Sequence, residues 1–203
     1  MSLHPVILNE RLSIGTFLLR VERPEGPIRA GQCYSIGSQE LGVNREYSMY
    51  SGANDPYIEF LIREVDGGVV SPFLARCKEG DLLEIAGPFG EFCLDNQNLS
   101  STRFVFVASG TGIAPFRSFV KTFSNLNYTI YHGVRYENEC YGREDFGSDS
   151  YIAAISQPST SEAGQRVTDV LGSTKLEPDS LYYLCGNRKM ITDVISILRS
   201  KKI

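Results

Sequence analysis

The hydrophobic positions in the first half of the chain follow the two-residue period of β-strands. Ser13–Glu22, Tyr57–Val65 and Leu82–Ala86 are rich in strand-forming residues, and the second segment alternates clearly between apolar and polar positions. Glycine and proline interrupt these segments at short intervals, as they do between the short strands of a sandwich or barrel. The pattern also predicts one short helix, in which Ser71 is the N-cap and Pro72 takes the first helical position.

The pattern changes near residue 98, where a polar stretch without periodicity separates two halves. Phe104–Ala108 is then a continuous apolar run, typical of a strand buried on both faces. Further short strands alternate with helical stretches; the strands are Tyr128–Tyr131, Tyr151–Ile155 and Leu181–Leu184, and the helices Phe116–Phe123, Val167–Leu171 and Lys189–Lys202. This alternation indicates a parallel α/β sheet. The predicted domains are therefore residues 1–98 and residues 99–203.

Composition narrows the class of protein. Hydrophobic residues make up 42% of the 203 positions, which is enough for a folded core. The net charge of −4 and the absence of a basic stripe argue against nucleic acid as a partner. No apolar run is long enough to span a bilayer, and the N-terminal residues do not have the pattern of a signal peptide.

The cysteines are scattered and odd in number, which argues against both a disulfide framework and a metal site. No C-x-x-C pair occurs among Cys33, Cys77, Cys93, Cys140 and Cys185. We therefore expect no metal and a cytoplasmic location. Both histidines, His4 and His132, are expected to be structural.

Two glycine-containing turns in the second half follow predicted strands and precede helices. The first spans Ser109–Phe116 and the second is Cys185-Gly186-Asn187. A helix N-terminus after a glycine turn suits a pyrophosphate, because it offers free N–H groups and the positive end of the helix dipole. Ligands of open α/β sheets bind at the carboxyl ends of strands, so both turns could face one crevice. Either turn alone is equally compatible with a tight structural connection.

In the first half, alternation along Arg45–Ser48 puts Arg45 and Tyr47 on one face of a strand. An arginine can hold a phosphate and an aromatic ring can cover a flat cofactor, although a surface arginine beside a half-buried tyrosine is the simpler reading of this pair alone. A second possible phosphate site is the turn at Gly67–Ser71, which leads into the predicted short helix.

Taken together and in order, these motifs resemble those of the ferredoxin–NADP reductase superfamily, especially its bacterial-type members and the reductase modules of oxygenases. The resemblance covers nearly the whole chain. The motifs are R-x-Y-S at Arg45, Tyr47 and Ser48, G-x-x-S at Gly68 and Ser71, G-P-x-G at Gly87, Pro88 and Gly90, G-T-G-I-A-P at Gly110–Pro115, and C-G-N at Cys185–Asn187.

The resemblance implies a six-stranded antiparallel FAD-binding barrel followed by a Rossmann-like nicotinamide domain. It also implies hydride transfer between NAD(P)H and FAD, with single electrons passing to or from a carrier such as ferredoxin or flavodoxin. The implied catalytic positions are Ser48, near flavin N5, and Cys185, beside nicotinamide C4. The implied flavin-binding residues are Arg45, Tyr47, Ser48, Gly68, Val69, Val70 and Ser71, and the implied dinucleotide-binding residues are Gly110, Thr111, Gly112, Ile113, Ala114, Pro115, Cys185, Gly186 and Asn187.

The dinucleotide preference depends on a few cationic positions. Gln157 stands where many relatives carry the arginine of a Ser-Arg pair, whereas Arg135 and Arg166 match other basic positions of bacterial-type members. Two arginines slightly favour NADP(H) over NAD(H), because guanidinium–phosphate contacts are strong. Solvated surface arginines are the alternative, and FMN in place of FAD stays open.

The sequence is compatible with four functions. The leading one is a monomeric ferredoxin or flavodoxin reductase. The second is the reductase component of an oxygenase system, with any iron–sulfur cluster on another chain. The third is a flavin-binding electron-transfer subunit that does not itself use a nicotinamide, and the fourth is a non-catalytic binding module.

Overall fold

The computed structural model describes residues 2–94, 99–160 and 163–203. The chain forms two compact units. The barrel unit contains Met1–Leu94 and Ala114–Thr122, and the α/β unit contains Asp95–Ile113 and Phe123–Ile203. The predicted domain boundary at residue 98 lies outside the described residues and stays a prediction.

The barrel unit is built on six antiparallel strands: β1 Ser2–Ser13, β2 Thr16–Glu22, β3 Cys33–Gly37, β4 Asn44–Ser48, β5 Tyr57–Arg63 and β6 Leu82–Phe89. Their order is β4-β3-β6-β1-β2-β5. A bridge between Met49 and Phe60 joins the two ends of this order, and the N–H of Tyr50 donates to the carbonyl of Glu59 at 2.7 Å. The expected six-stranded antiparallel barrel is thereby confirmed.

The first strand is the element that the hydrophobic pattern missed. The pattern predicts a first strand over Ser13–Glu22, whereas the structure has β1 over Ser2–Ser13, a turn at Ile14 and Gly15, and then β2. Within β1 only His4 and Val6 are buried, so apolar and polar positions do not alternate clearly. The strand is defined by its pairing with β6 in its first part and with β2 in its second.

The short helix α1, Val70–Leu74, begins earlier than predicted. Val69 occupies the N-cap position and makes no side-chain cap bond. Ser71, expected to be the cap, lies inside the helix and is buried; its hydroxyl oxygen accepts a hydrogen bond from the N–H of Val65 at 2.9 Å. The serine therefore fastens the preceding loop to the helix instead of capping it.

The α/β unit holds a parallel sheet of four strands: β7 Arg103–Ser109, β8 Asn127–Val134, β9 Tyr151–Ile155 and β10 Ser180–Cys185. Its order is β10-β7-β8-β9, and every pairing is parallel, as expected. The chain runs outward from β7 to β9 and then returns to the other side of β7. The carboxyl ends of β7 and β10 therefore form a topological switch point, where ligands of open α/β sheets bind.

The central strand β7 is buried on both faces, as its apolar run predicts. On one face, Val105 and Val107 pack in a cluster with residues of two helices, α3 Val167–Ser173 and α4 Arg188–Ser200. On the other face, Phe104 and Phe106 stack on each other, and Phe106 also contacts the rings of Tyr128 and Tyr183. One face is thus mainly aliphatic and the other aromatic.

A buried carboxylate links two strands of the barrel unit to α2, Ala114–Thr122. Glu59 on β5 is 3% exposed, and its carboxylate lies 2.7 Å from a guanidinium nitrogen of Arg20 and 3.2 Å from one of Arg117 on α2. Each guanidinium also stacks on an aromatic ring at 4.0 Å, Arg20 on Tyr57 and Arg117 on Tyr50. Because a buried charge needs partners, this network holds α2 against the barrel.

Replacing the carboxylate of Glu59 should therefore destabilise the protein strongly. We expect Glu59→Gln to lower the free energy of unfolding by about 3 kcal/mol, since two guanidinium groups lose their buried counter-charge. Glu64→Gln is the matched control, because Glu64 pairs with Arg11 at an exposed site and should contribute less than about 1 kcal/mol. Urea unfolding followed by circular dichroism measures both. Equal losses would show that burial of the carboxylate is not what makes the network stabilising.

Candidate functional site

The two predicted glycine turns meet at the switch point of the α/β unit. The first forms a 3-10 turn, Gly110–Ile113, directly after β7, and the second follows β10. The hydroxyl oxygen of Ser109 accepts a hydrogen bond from the N–H of Asn187 at 2.8 Å. The two turns are therefore in contact within this unit, and a ligand crevice that both of them face stays a prediction.

Their contact is so close that it requires glycine. A Cβ on Gly112 would lie 2.4 Å from the carbonyl oxygen of Cys185, and a Cβ on Gly186 would lie 2.3 Å from the hydroxyl oxygen of Ser109. Gly186 also has a positive φ of 140°. These two glycines therefore serve the packing of one turn on the other, a role that the motif did not reveal.

Gly110 has a different environment. Its φ of +52° is in the left-handed region, and no atom lies within 4 Å of the position that a Cβ would take. The glycine therefore satisfies a backbone requirement and leaves one side of the turn open. Such an open backbone face fits the approach of a dinucleotide pyrophosphate.

The remaining residues of the first motif are more enclosed. Gly112, Ile113, Ala114 and Pro115 are buried, whereas Thr111 is partly exposed. Ala114 and Pro115 begin α2, which belongs to the barrel unit. The helix predicted over Phe116–Phe123 thus begins two residues earlier, at the end of the 3-10 turn.

The second motif carries a thiol and a helix cap. Burial raises the pKa of the Cys185 thiol to about 11, so this group is a neutral thiol at pH 7 and not a nucleophilic thiolate. Asn187 is the N-cap of α4, and its side-chain oxygen accepts hydrogen bonds from the N–H groups of Lys189 at 2.8 Å and Met190 at 3.4 Å. Asn187 therefore fixes the beginning of α4 beside the first turn.

His132 on β8 also contacts the first turn, which the sequence did not indicate. Its ring is fully buried, with Nε2 2.9 Å from the carbonyl oxygen of Gly110 and Nδ1 2.7 Å from the hydroxyl of Tyr151. Burial lowers the pKa of this imidazole to about 4, so it is neutral at pH 7. The Gly110 carbonyl can only accept, which puts the ring proton on Nε2.

The candidate phosphate-binding arginines lie near β8, β9 and the start of α3. The N–H of Gln157 donates to the carbonyl of Arg135 at 2.8 Å, and the N–H of Gln165 donates to the carbonyl of Ile155 at 2.8 Å. These bonds bring the backbone segments of Arg135, Gln157 and Arg166 together. Both arginine side chains are exposed, and neither guanidinium forms an ion pair within the described part of the chain.

A carboxylate lies beside these residues. Glu137 accepts hydrogen bonds from the N–H of Ser159 at 3.0 Å and from its hydroxyl at 3.3 Å. The backbone hydrogen bond from Ser159 lowers the pKa of Glu137, so its side chain is negatively charged at neutral pH. This acid, which the sequence motifs did not indicate, adds negative charge near the two arginines.

In the barrel unit, the R-x-Y-S residues lie on β4. Tyr47 lies opposite Tyr34 and Ser48 opposite Cys33 on β3. Arg45 is exposed, and its guanidinium donates to the carbonyl of Asn44 at 2.8 Å. Burial raises the pKa of the Tyr47 phenol to about 12, so this side chain is neutral at pH 7. An exposed cation on the same strand as a half-buried aromatic ring fits the phosphate and ring system of a flavin nucleotide.

The second predicted phosphate contact surrounds the start of α1. A turn closes here through the N–H of Gly68, which donates to the carbonyl of Val65 at 2.9 Å. Val69 is exposed, whereas Val70 and Ser71 are buried. The Ser71 hydroxyl oxygen accepts the bond from Val65 and can still donate its own hydrogen, so this hydroxyl and the backbone N–H groups are both candidates for a phosphate contact.

Within residues 2–94, 99–160 and 163–203, no group of three or more His, Cys, Asp or Glu side chains is arranged to hold a metal ion. Over the same described ranges, no helix has the length and apolar character needed to cross a bilayer.

Two segments of the chain match known protein families. Residues 7–93 match the oxidoreductase FAD-binding domain, and residues 106–195 match the oxidoreductase NAD-binding domain. The two matched segments occur in the order that the motifs indicate and together cover most of the chain.

The chain is also similar to individual known proteins. The reductase component of a phenol 2-monooxygenase from Pseudomonas sp. (strain CF600) is 26% identical over 207 residues, which cover 91% of this chain and 57% of that protein. A flavodoxin/ferredoxin–NADP reductase from Buchnera aphidicola subsp. Schizaphis graminum (strain Sg) is 28% identical over 182 residues, covering 82% and 67% of the two chains. A crystal structure of a ferredoxin NADP+ reductase from Neisseria gonorrhoeae with FAD and NADP has a TM-score of 0.80 at 20% identity and covers 98% of this chain and 90% of that one. The chain thus spans little more than half the length of the phenol 2-monooxygenase reductase.

The close contact between the turns can be tested at Gly112. We expect Gly112→Ala to lower the free energy of unfolding by about 2 kcal/mol, because the added methyl group must push the Cys185 backbone away. Gly172→Ala is the matched control: Gly172 lies in α3 with no atom within 4 Å of its Cβ position, so alanine should stabilise by up to about 1 kcal/mol. Urea unfolding compares the two. A neutral Gly112→Ala would show that the turns can separate freely.

Proposed function

Because the chain belongs to the ferredoxin–NADP reductase superfamily, we propose that it is a flavin-dependent oxidoreductase that exchanges electrons between a nicotinamide dinucleotide and a one-electron carrier protein. The observation that carries this proposal is the presence of an FAD-binding domain over residues 7–93 and an NAD-binding domain over residues 106–195 in one chain. The switch point in the α/β unit gives independent physical support.

The chemistry of such an enzyme belongs mainly to its cofactors. A flavin held at Arg45, Tyr47 and Ser48 would supply hydride acceptance and the release of single electrons. The protein binds and orients the two nucleotides, and no general acid or base is required. A neutral Cys185 thiol suits this role, because it can contact a nicotinamide without reacting as a nucleophile.

The proposed dinucleotide site is the edge of the α/β unit where the two turns meet. Gly110 and Thr111 offer the open side of the first turn, and Cys185, Gly186 and Asn187 form the second. Gly112, Ile113, Ala114 and Pro115 are buried, so their proposed contribution is to fix the backbone of the motif.

The proposed flavin site is on the barrel unit. Arg45 supplies the cation for the pyrophosphate, and Tyr47 supplies an aromatic surface for the ring system. Ser48 is the proposed hydrogen-bond partner near flavin N5. Gly68, Val69 and Val70 supply backbone at the start of α1, and buried Ser71 supports them through its bond to Val65.

The finer preference we propose is NADP(H), slightly ahead of NAD(H). Its support is the pair of exposed guanidinium groups of Arg135 and Arg166, whose backbones lie near Gln157. Arginine binds a 2′-phosphate through strong charge-assisted bonds. The Glu137 carboxylate opposes this attraction and is a physical reason why the preference should be small.

The proposed partner is a ferredoxin, a flavodoxin or another carrier of single electrons, and the proposed enzyme is a cytoplasmic monomer. The scattered, odd-numbered cysteines support the location, since disulfides are rare in the cytoplasm. A second candidate is the reductase component of an oxygenase system. The similarity to a protein named as a phenol 2-monooxygenase reductase favours it.

Anaerobic reduction tests the proposed function directly. We expect the purified protein to carry FAD and the flavin absorbance to bleach on mixing with NADPH or NADH, because hydride transfer reduces the flavin. Adding ferredoxin, flavodoxin or an oxygenase ferredoxin to the reduced protein should restore the absorbance and identify the carrier. A flavin that neither nucleotide bleaches would rule out the reductase function.

The dinucleotide preference can be tested at Arg166. We expect Arg166→Ala to weaken NADPH binding about tenfold while changing NADH binding much less, because only NADPH carries the 2′-phosphate. Arg199→Ala at the exposed end of α4 is the control for loss of one positive charge. Stopped-flow reduction at several nucleotide concentrations gives both affinities. Equal effects on the two nucleotides would remove Arg166 from the phosphate site.

A further inference from the structure

A continuous chain of buried hydrogen bonds, called the relay below, joins Tyr151, His132 and Gly110 of the α/β unit. Tyr151 on β9 contacts His132 on β8, and His132 contacts Gly110 at the end of β7. Both side chains are buried, His132 completely and Tyr151 to more than nine-tenths. The relay thus crosses the sheet beneath the first glycine turn and ends on its backbone.

The hydrogen bond from His132 to the carbonyl of Gly110 restrains the orientation of the whole Gly110–Thr111 peptide plane. In a trans peptide the C=O and the following N–H point in opposite directions. When the imidazole Nε2–H holds the carbonyl of Gly110, the N–H of Thr111 must point away from the buried ring. Gly110 itself has a positive φ and open space beside it, so it would otherwise restrain this plane weakly.

The hydroxyl of Tyr151 determines which imidazole nitrogen of His132 carries the proton. A neutral imidazole has one donor and one acceptor nitrogen. Its Nδ1 lies 2.7 Å from the Tyr151 hydroxyl, which can donate to it, and this leaves the proton on Nε2. Without that hydroxyl, the ring could carry its proton on Nδ1 and turn a bare nitrogen towards the Gly110 carbonyl, where no hydrogen bond would form.

We propose that His132 is a positioning residue for the nicotinamide dinucleotide, which fixes the Gly110–Thr111 peptide so that its N–H is presented to the pyrophosphate, with Tyr151 holding the imidazole in the required tautomer. The inference rests on the proposed function, because it requires a dinucleotide at the first turn. His132, although fully buried, would thus act on the dinucleotide through the backbone of the first turn.

The test compares nucleotide affinity with stability in the full chain, using titration calorimetry with NAD+ and with NADP+. We expect His132→Leu, which removes both hydrogen bonds, to raise both dissociation constants about tenfold, since one oriented donor is lost. His132→Gln can still donate to Gly110 and should leave both dissociation constants within about 1.5-fold of those of the unsubstituted protein. Tyr151→Phe keeps the packing and should raise both constants about threefold.

A destabilised variant of the same unit separates positioning from a structural role. Leu171→Ala opens a cavity in the hydrophobic cluster beside α3, which contains neither His132 nor Tyr151. It should lower the melting temperature while leaving both dissociation constants unchanged. Flavin content should remain unchanged in all variants, because the relay lies outside the barrel unit.

Weaker binding in His132→Leu with recovery in His132→Gln and no change in Leu171→Ala would support the proposal. Unchanged binding in His132→Leu, or equally weak binding in Leu171→Ala, would overturn it. If His132→Leu does not fold, Tyr151→Phe decides: unchanged affinity for both nucleotides overturns the proposal. Failure of the unsubstituted protein to bind either nucleotide would instead overturn the proposed function, and this inference with it.

Discussion

The contact between two backbone turns at the carboxyl ends of β7 and β10 is the constraint on which the candidate dinucleotide site depends. The strands are neighbours because the chain leaves β7 in one direction and returns on its other side. Their turns then meet at a separation that leaves no room for a Cβ on Gly112 or Gly186. The hydrogen bond from Asn187 to Ser109 fastens the same contact. The switch point follows from this topology, and the glycines allow the two turns beside it to touch.

Buried polar groups organise each unit in a different way. In the barrel unit, the Glu59 side chain pairs with two guanidinium groups that also stack on aromatic rings. In the α/β unit, His132 is neutral and satisfied by one donor and one acceptor. The first arrangement fixes a helix to a barrel, whereas the second fixes one peptide group of a loop. In both cases the cost of burying a polar group is offset only when its partners are held in place, which makes the surrounding structure specific.

Local sequence patterns predict some elements of this protein and miss others. The apolar run Phe104–Ala108 predicted a doubly buried strand, because a strand with helices and rings on its two faces needs apolar residues at every position. β1 was missed because most of its side chains remain accessible and its position is set by pairing with β2 and β6. Ser71 followed by Pro72 fits the pattern of a helix start. In the structure, however, the serine hydroxyl oxygen accepts a hydrogen bond from the N–H of Val65, a contact that depends on how the loop folds.

The sequence by itself determined the two-domain plan, the strand-rich and the alternating halves, the glycine turns and the family to which they point. These features are local, since they follow from periodicity, turn chemistry and short motifs. Only the tertiary structure decided which glycine is open and which is packed, where Arg166 lies with respect to Arg135, and that His132 reaches Gly110. Those relations join residues that are distant along the chain. The order of strands in the sheet brings these residues together, and no local pattern encodes that order.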